Sequence, residues 1–333
     1  MRRFRLTAAA SLLVLSGCSS GAGVIERVDT TAAETETSNA PETPNASALA
    51  AATDGARTLG DPVLPGHGNG GYDVTHYDLT IDATEIAVSG ALAARIDIAL
   101  SVAEPLRSFS LDFVGFEIAS VTLDGEPARH ERSDAKLIIE PNEPIVGEHR
   151  LTVDYSGVPT PVNDESAPGT LGWMSGTSGT YLVAEPGGLM ALIPCNDHPS
   201  DPASFSFTIA AVAGTTVATS GVTTPDSPTP GFTALDATTT DARTHDHTTP
   251  DPTTLDPTTP EPAPRDAASA MTWSSNLTSA VPTYAVQIAI GEYDVVRSEV
   301  DLGERTLPIR HVVPRRMPDE LRDTLSITDA QVR

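Results

Sequence analysis

Between about Asp61 and Val313 the chain is written in short runs of alternating apolar and polar residues. In Tyr72–Asp82, alternation sets Val74, His76, Asp78 and Thr80 on one face, and Tyr77, Leu79 and Ile81, with Asp73 and Thr75, on the other. A period of two marks a half-buried strand. Leu92, Ala94, Ile96, Ile98 and Leu100 continue the pattern. Further strands are predicted over 108–113, 118–123, 136–139, 149–155, 204–212, 216–220, 270–273, 284–291 and 306–313. Asp124-Gly125-Glu126-Pro127, Pro141-Asn142-Glu143-Pro144 and Val146-Gly147-Glu148 supply turns between them. Short strands at this spacing predict an all-β fold, an antiparallel sheet or sandwich. No long helical period occurs before Pro318, where Pro-Asp-Glu-Leu opens a helix-like stretch with acidic residues near its start.

Two segments break the pattern. Residues 19–60 are rich in Ala, Thr, Ser, Glu and Pro, too poor in apolar area to offset chain entropy, and are expected to be a disordered tether. Residues 223–268 are Thr, Pro and Asp with near-repeats, and prolines at that density forbid ladder hydrogen bonds. Strand-like sequence on both sides makes this an insertion within a hairpin, which closure entropy tolerates. The predicted divisions are a leader at 1–18, a tether at 19–60, a β-domain at 61–315 interrupted by 223–268, and a new unit beginning at 316–333.

The leader carries Arg2, Arg3 and Arg5, then a short apolar run over 6–15 that ends in Leu15-Ser16-Gly17-Cys18. This run is too short to span a bilayer. The end resembles a bacterial lipobox, which implies lipidation of Cys18 and attachment to the extracytoplasmic face of the cell membrane. Each buried acyl methylene contributes about 0.8 kcal/mol to such an anchor.

The 333 residues hold 45 acidic and 20 basic side chains, a net charge of −25. Such a chain is repelled by nucleic acid and anionic headgroups, so no nucleic-acid partner is expected. With Cys18 lipidated, Cys195 has no partner for an intrachain disulfide and is expected to be a buried structural thiol. None of the eight histidines stands in a His-Glu-x-x-His arrangement. His245-Asp246-His247 offers at most adventitious metal binding. His198 is expected to make a hydrogen bond within a turn. Asp197 and Asp201, beside prolines, are expected to cap turns. The run Ser175-Gly176-Thr177-Ser178-Gly179 lacks the Gly-x-Ser-x-Gly of a nucleophile elbow and is expected to be a flexible loop.

The segments Tyr181-Leu182-Val183-Ala184-Glu185-Pro186 and Ile193-Pro194-Cys195-Asn196-Asp197-His198-Pro199-Ser200-Asp201 together resemble the signature of the N-terminal β-domain of M1-family (gluzincin) zinc aminopeptidases, of the actinobacterial lipoprotein type. Pro65–Tyr77 is similar to that family's first strand, and 282–293 to its closing strand, so the resemblance runs from about Gly60 to Arg333. It implies a saddle-like β-domain packed on a thermolysin-like catalytic domain. One of its acidic side chains would bind the free α-amino group of a peptide substrate, and counting back from Pro194 puts Glu185 there. A buried ammonium requires an anionic partner, which makes such an enzyme an exopeptidase. Two positions depart from the family: Val183 stands where a glutamine is frequent, and Met190 where an arginine is frequent. The resemblance further implies that zinc belongs to a catalytic domain missing from this chain. The chain alone is expected to be inactive and without a metal site of its own, a fragment whose partners are peptide substrates, the catalytic domain and, through Cys18, the membrane. A stand-alone surface β-module for peptide or protein binding is the alternative.

Overall fold

The residues whose alternation predicts strands form the middle of a large mixed sheet. The computed structural model describes residues 51–164, 167, 169–222, 224–225 and 270–332; Cys18, His245, His247 and nearly all of the insertion lie outside the described residues. Strands β2 (Asp73–Asp82), β3 (Leu92–Asp112) and β8 (Ile145–Gly157) run antiparallel at the centre. On one side follow β12 (Ala203–Val212), β15 (Ala270–Val281) and β14 (Thr224–Pro225); on the other, β4 (Glu117–Leu123) and β5 (Glu126–Pro127). Strands β6 (Arg129–Ser133) and β7 (Lys136–Glu140) branch from the far half of β3.

A second sheet, in the order β13-β16-β11-β10-β9, comprises β9 (Val162–Asn163), β10 (Thr170–Gly176), β11 (Gly179–Val183), β13 (Thr216–Thr219) and β16 (Ile288–Gly291). Its inward residues Trp173, Leu182, Val217 and Ile290 share one core with Tyr77, Ile96, Val153 and Phe205 of the large sheet. Phe205 stacks on Tyr77 at 4.9 Å between ring centroids, and each such fully buried side chain contributes about 1.5–3 kcal/mol of transfer free energy.

The all-β expectation holds, with local corrections. Pairing is mixed: β12 runs parallel to β2, which the long connection through β3–β11 permits. A register shift between Val74 and His76 returns Val74 to the buried face and leaves Asp73 and Thr75 exposed. The fold also begins before residue 61. Within the expected tether, β1 (Thr53–Asp54) pairs parallel with β3, and Gly55 N donates to the Ser108 carbonyl at 2.8 Å. That stretch has little apolar area, but its backbone satisfies the edge of β3. Antiparallel pairing joins β12, which precedes the insertion, to β15, which follows it, and β14, within the first residues of the range read as insertion, also pairs with β15.

Strands β17 (Tyr293–Asp301) and β18 (Thr306–Pro314) form a separate two-stranded sheet within the range read as one β-domain. Helices α2 (Asp319–Asp323) and α3 (Ser326–Val332) follow; α1 (Ile86–Ser89) is a single turn after β2. As expected, α2 starts after Pro318 with Asp319 and Glu320 in its first turn. Arg322 ties it to β17 through Asp294 at 2.8 Å.

Candidate functional site

The segment 184–201 crosses the core side of the molecule between β11 and β12. It leaves β11 with Ala184 buried and turns back at Gly188, whose N–H donates to the Ala184 carbonyl at 2.7 Å. A methyl group added to Gly188 would strike the Val183 carbonyl and the Gly172 amide, so only glycine fits this reversal. A 3₁₀ turn follows at Leu189–Ala191. Val114 N donates to the Met190 carbonyl at 3.0 Å, and Cys195 exchanges two backbone hydrogen bonds with Asp112 at 2.7 and 3.0 Å. The segment is thereby docked along the end of β3.

A buried polar network fixes the rest. Lys136, the sole lysine of the chain, places its ammonium 2.5 Å from Asp112 Oδ1 and donates to the Gly68 carbonyl (3.0 Å) and Asn69 Oδ1 (3.2 Å). The other oxygen of Asp112 accepts from Gly68 N, Asn69 Nδ2 and Asp197 N at 3.1, 2.8 and 3.0 Å. Asn196 Oδ1 accepts from Asn69 N at 2.7 Å, and its amide nitrogen donates to Asp201 Oδ2 at 2.6 Å. The Tyr77 hydroxyl accepts from Asn196 N at 3.0 Å, and Tyr155 donates to the Leu192 carbonyl at 2.9 Å. With lone pairs and donors this well matched, a charged pair is tolerated in the core. Gly68, at φ +73°, has His198 Cβ within 2.8 Å of where its own Cβ would lie.

Burial, and then the Asp112 charge, push the Asp197 carboxyl up to about 6, although the Thr283 hydroxyl and the Met190 N–H favour its anion. Burial likewise raises Asp201 to about 7, against the hydrogen bonds from Val74 N and Asn196. Cys195 is fully buried, and its thiol is pushed well up by burial and then by Asp197 and Asp112. A thiol so placed is a core residue, not a nucleophile.

Glu185 occupies the first position after this buried frame begins. Its side chain is exposed and forms no hydrogen bond or ion pair with any described residue. It follows buried Ala184, joins Pro186 through a cis peptide, and precedes buried Gly187. Val183, half-buried, is paired with Gly172, and Met190 is buried with its N–H on Asp197 Oδ2 at 3.0 Å. An arginine at 190 would have placed its charge in that apolar site.

His198 makes the expected hydrogen bond within a turn, Nδ1 to Ser200 Oγ at 2.8 Å, and also approaches Asp61 at 3.4 Å. Asp201 caps Val74 N at 3.2 Å. The run 175–179 is not a flexible loop: it is the tight turn of the β10–β11 hairpin, in which Gly176 pairs with Gly179. Among the described residues, no three His, Cys, Asp or Glu side chains converge to hold a metal ion. The donor set that a zinc ion requires is not built from them. Sequence reasoning missed Asp112, Lys136 and Asn69. The one available signal was a single lysine in so acidic a chain, placed inside the apolar run Lys136-Leu137-Ile138-Ile139.

No protein-family model matches the sequence, and no curated protein matches it significantly. Solved structures do. An M1 zinc metallopeptidase from Deinococcus radiodurans is 25% identical with a TM-score of 0.60, over 78% of this chain and 52% of that one. A mutant of the Deinococcus radiodurans metallopeptidase, bound to a Tyr-Ser-Ala substrate, gives the same values. A two-domain M1 zinc metallopeptidase mutant bound to L-tryptophan is 25% identical with a TM-score of 0.61 over the same shares. The chain thus spans about half the length of the structures it matches. The likeness supports an M1-type N-terminal domain, and so a peptidase-related one.

Proposed function

We propose that this chain is the substrate-anchoring N-terminal domain of an extracytoplasmic M1-type zinc aminopeptidase, tethered to the outer face of the membrane through Cys18. The supporting observation is the placement of Glu185. A free, exposed carboxylate stands at the edge of a segment whose next residues are locked into the core by Gly188, Asp197 and the Asp112–Lys136 pair. Rigid support with an unpaired charge is what recognition of a peptide ammonium requires. Within this chain, Glu185 would bind and orient the substrate amino group, and the frame beneath it would hold the carboxylate in place. Zinc, bound by a second domain outside these 333 residues, would supply an activated water. The remaining walls of the site would come from that second domain.

In the complete enzyme, Glu185→Ala is expected to lower kcat/KM for peptides with a free amino terminus by about 10²-fold, as loss of one partner of a desolvated charge pair does. N-acetylated peptides should be refractory to the parent enzyme. Unchanged kcat/KM in the variant, or equal cleavage of acetylated peptides by the parent, would overturn the assignment.

A further inference from the structure

The β17–β18 hairpin carries two arginines in direct cross-strand register, Arg297 opposite Arg310. Opposed residues of an antiparallel pair share one face, and like charges so placed repel. That face borders two open cavities, and Arg297, Glu299 and Val312 on it are exposed, whereas the buried Val300, Ile309 and Val313 lie on the other face. Val312 and Pro314 look onto Tyr181 and Thr219 across a cavity of about 450 Å³. Further along, Arg297 and Arg310 look onto Gly221, Asn276 and Ser279 across a second cavity, of about 680 Å³. Arg310 reaches the Thr219 carbonyl at 3.4 Å, and Arg297 has only a 3.5 Å contact to the Val295 carbonyl. Among the described residues neither forms an ion pair, although acidic side chains outnumber basic ones 45 to 20 in the sequence. Glu299 lies two cross-strand pairs away, on the same face, and bonds to neither. Burial and the Arg297 charge both push the Arg310 pKa down, so the pair is held together at a cost.

We propose that Arg297 and Arg310 form a carboxylate-binding site in the groove beneath the hairpin. A planar guanidinium fork matches a carboxylate, and two of them border this groove. Glu299 leaves the groove with a surplus of one positive charge, which suits a monoanionic carboxylate better than a dianionic phosphate. The carboxylate has two sources, a small organic acid or an acidic side chain of a peptide. The site is independent of Glu185 and of the role proposed for it.

The test is NMR of the arginine side-chain Nε–Hε signals in the 333-residue protein. Titrants are N-acetylglycine, the peptide acetyl-Ala-Glu-Ala-amide, inorganic phosphate, and sodium chloride at matched ionic strength. The Arg297 and Arg310 signals are expected to move together and saturably with one or both carboxylates, the tighter of the two identifying the source. Arg297→Glu should abolish the response and raise the thermal midpoint without ligand, because a cross-strand ion pair replaces the repulsion. The proposal is overturned if neither carboxylate moves the signals beyond chloride, if phosphate binds more tightly, or if Arg297→Glu responds unchanged.

Discussion

Replacing Lys136 by Met tests whether the frame beneath Glu185 is held by a buried charge pair. Methionine fills nearly the same volume, so the change removes the ammonium and little else. Asp112 then keeps three neutral donors, Gly68 N, Asn69 Nδ2 and Asp197 N, and loses its only countercharge. Its side chain is 1% exposed, so water cannot take over. Breaking one side of a buried pair costs about 3–5 kcal/mol, a large share of a typical domain stability of about 5–15 kcal/mol. Urea denaturation at pH 7 should show that loss as a lower midpoint at unchanged slope. Asp112→Asn in the same chain should restore part of it at pH 7. A loss below about 1 kcal/mol, the level of an exposed pair, would refute the reasoning, as would a loss that the second substitution does not relieve.

Stability should fall as pH rises from about 4 to about 7. Asp197 and Asp201 are raised to about 6 and about 7 when folded, so between their unfolded and folded values the native state holds more protons than the unfolded one, and rising pH favours unfolding. Asp197→Asn should flatten the lower part of that slope in urea titrations at stepped pH; an unchanged slope would show that Asp197 does not contribute. The 333-residue protein, with or without added zinc, should not hydrolyse leucine arylamides; hydrolysis that a chelator abolishes would contradict this. Cys18→Ser should release the protein from the membrane fraction of a bacterial host and abolish incorporation of labelled fatty acid; retention of both would exclude lipidation at Cys18.

The strands that sequence predicts well are those with one buried face. In β2, β3, β8 and β12 the alternating apolar residues are nearly all buried, because burial of one face is what selects such a pattern. The β10–β11 hairpin was illegible: its glycines and hydroxyl residues carry no alternation, and it is held instead by pairing with β9 and β16. Strand β17 pairs only with β18 and buries few side chains, so its pattern is weak as well. Parallel pairing of β12 with β2 leaves no local trace at all. In the candidate site, the signature around Pro194 was legible as a segment, but its physical roles were not. Asn196, Asp197 and Asp201 are defined by Asn69, Asp112 and Val74, more than 80 positions away in the chain for each pair. Contacts that distant are set by topology, which no local spacing encodes.

The most direct measurement is a carbon-13 NMR titration of the Glu185 carboxyl in the 333-residue protein with leucinamide and with N-acetyl-leucinamide. A carboxylate displayed to receive a peptide amino terminus should shift with the free amine and not with its acetylated form, and this response should vanish in Glu185→Gln while the Asp112–Lys136 network stays intact. No response to the amine, or an equal response to both compounds, would contradict that role for Glu185.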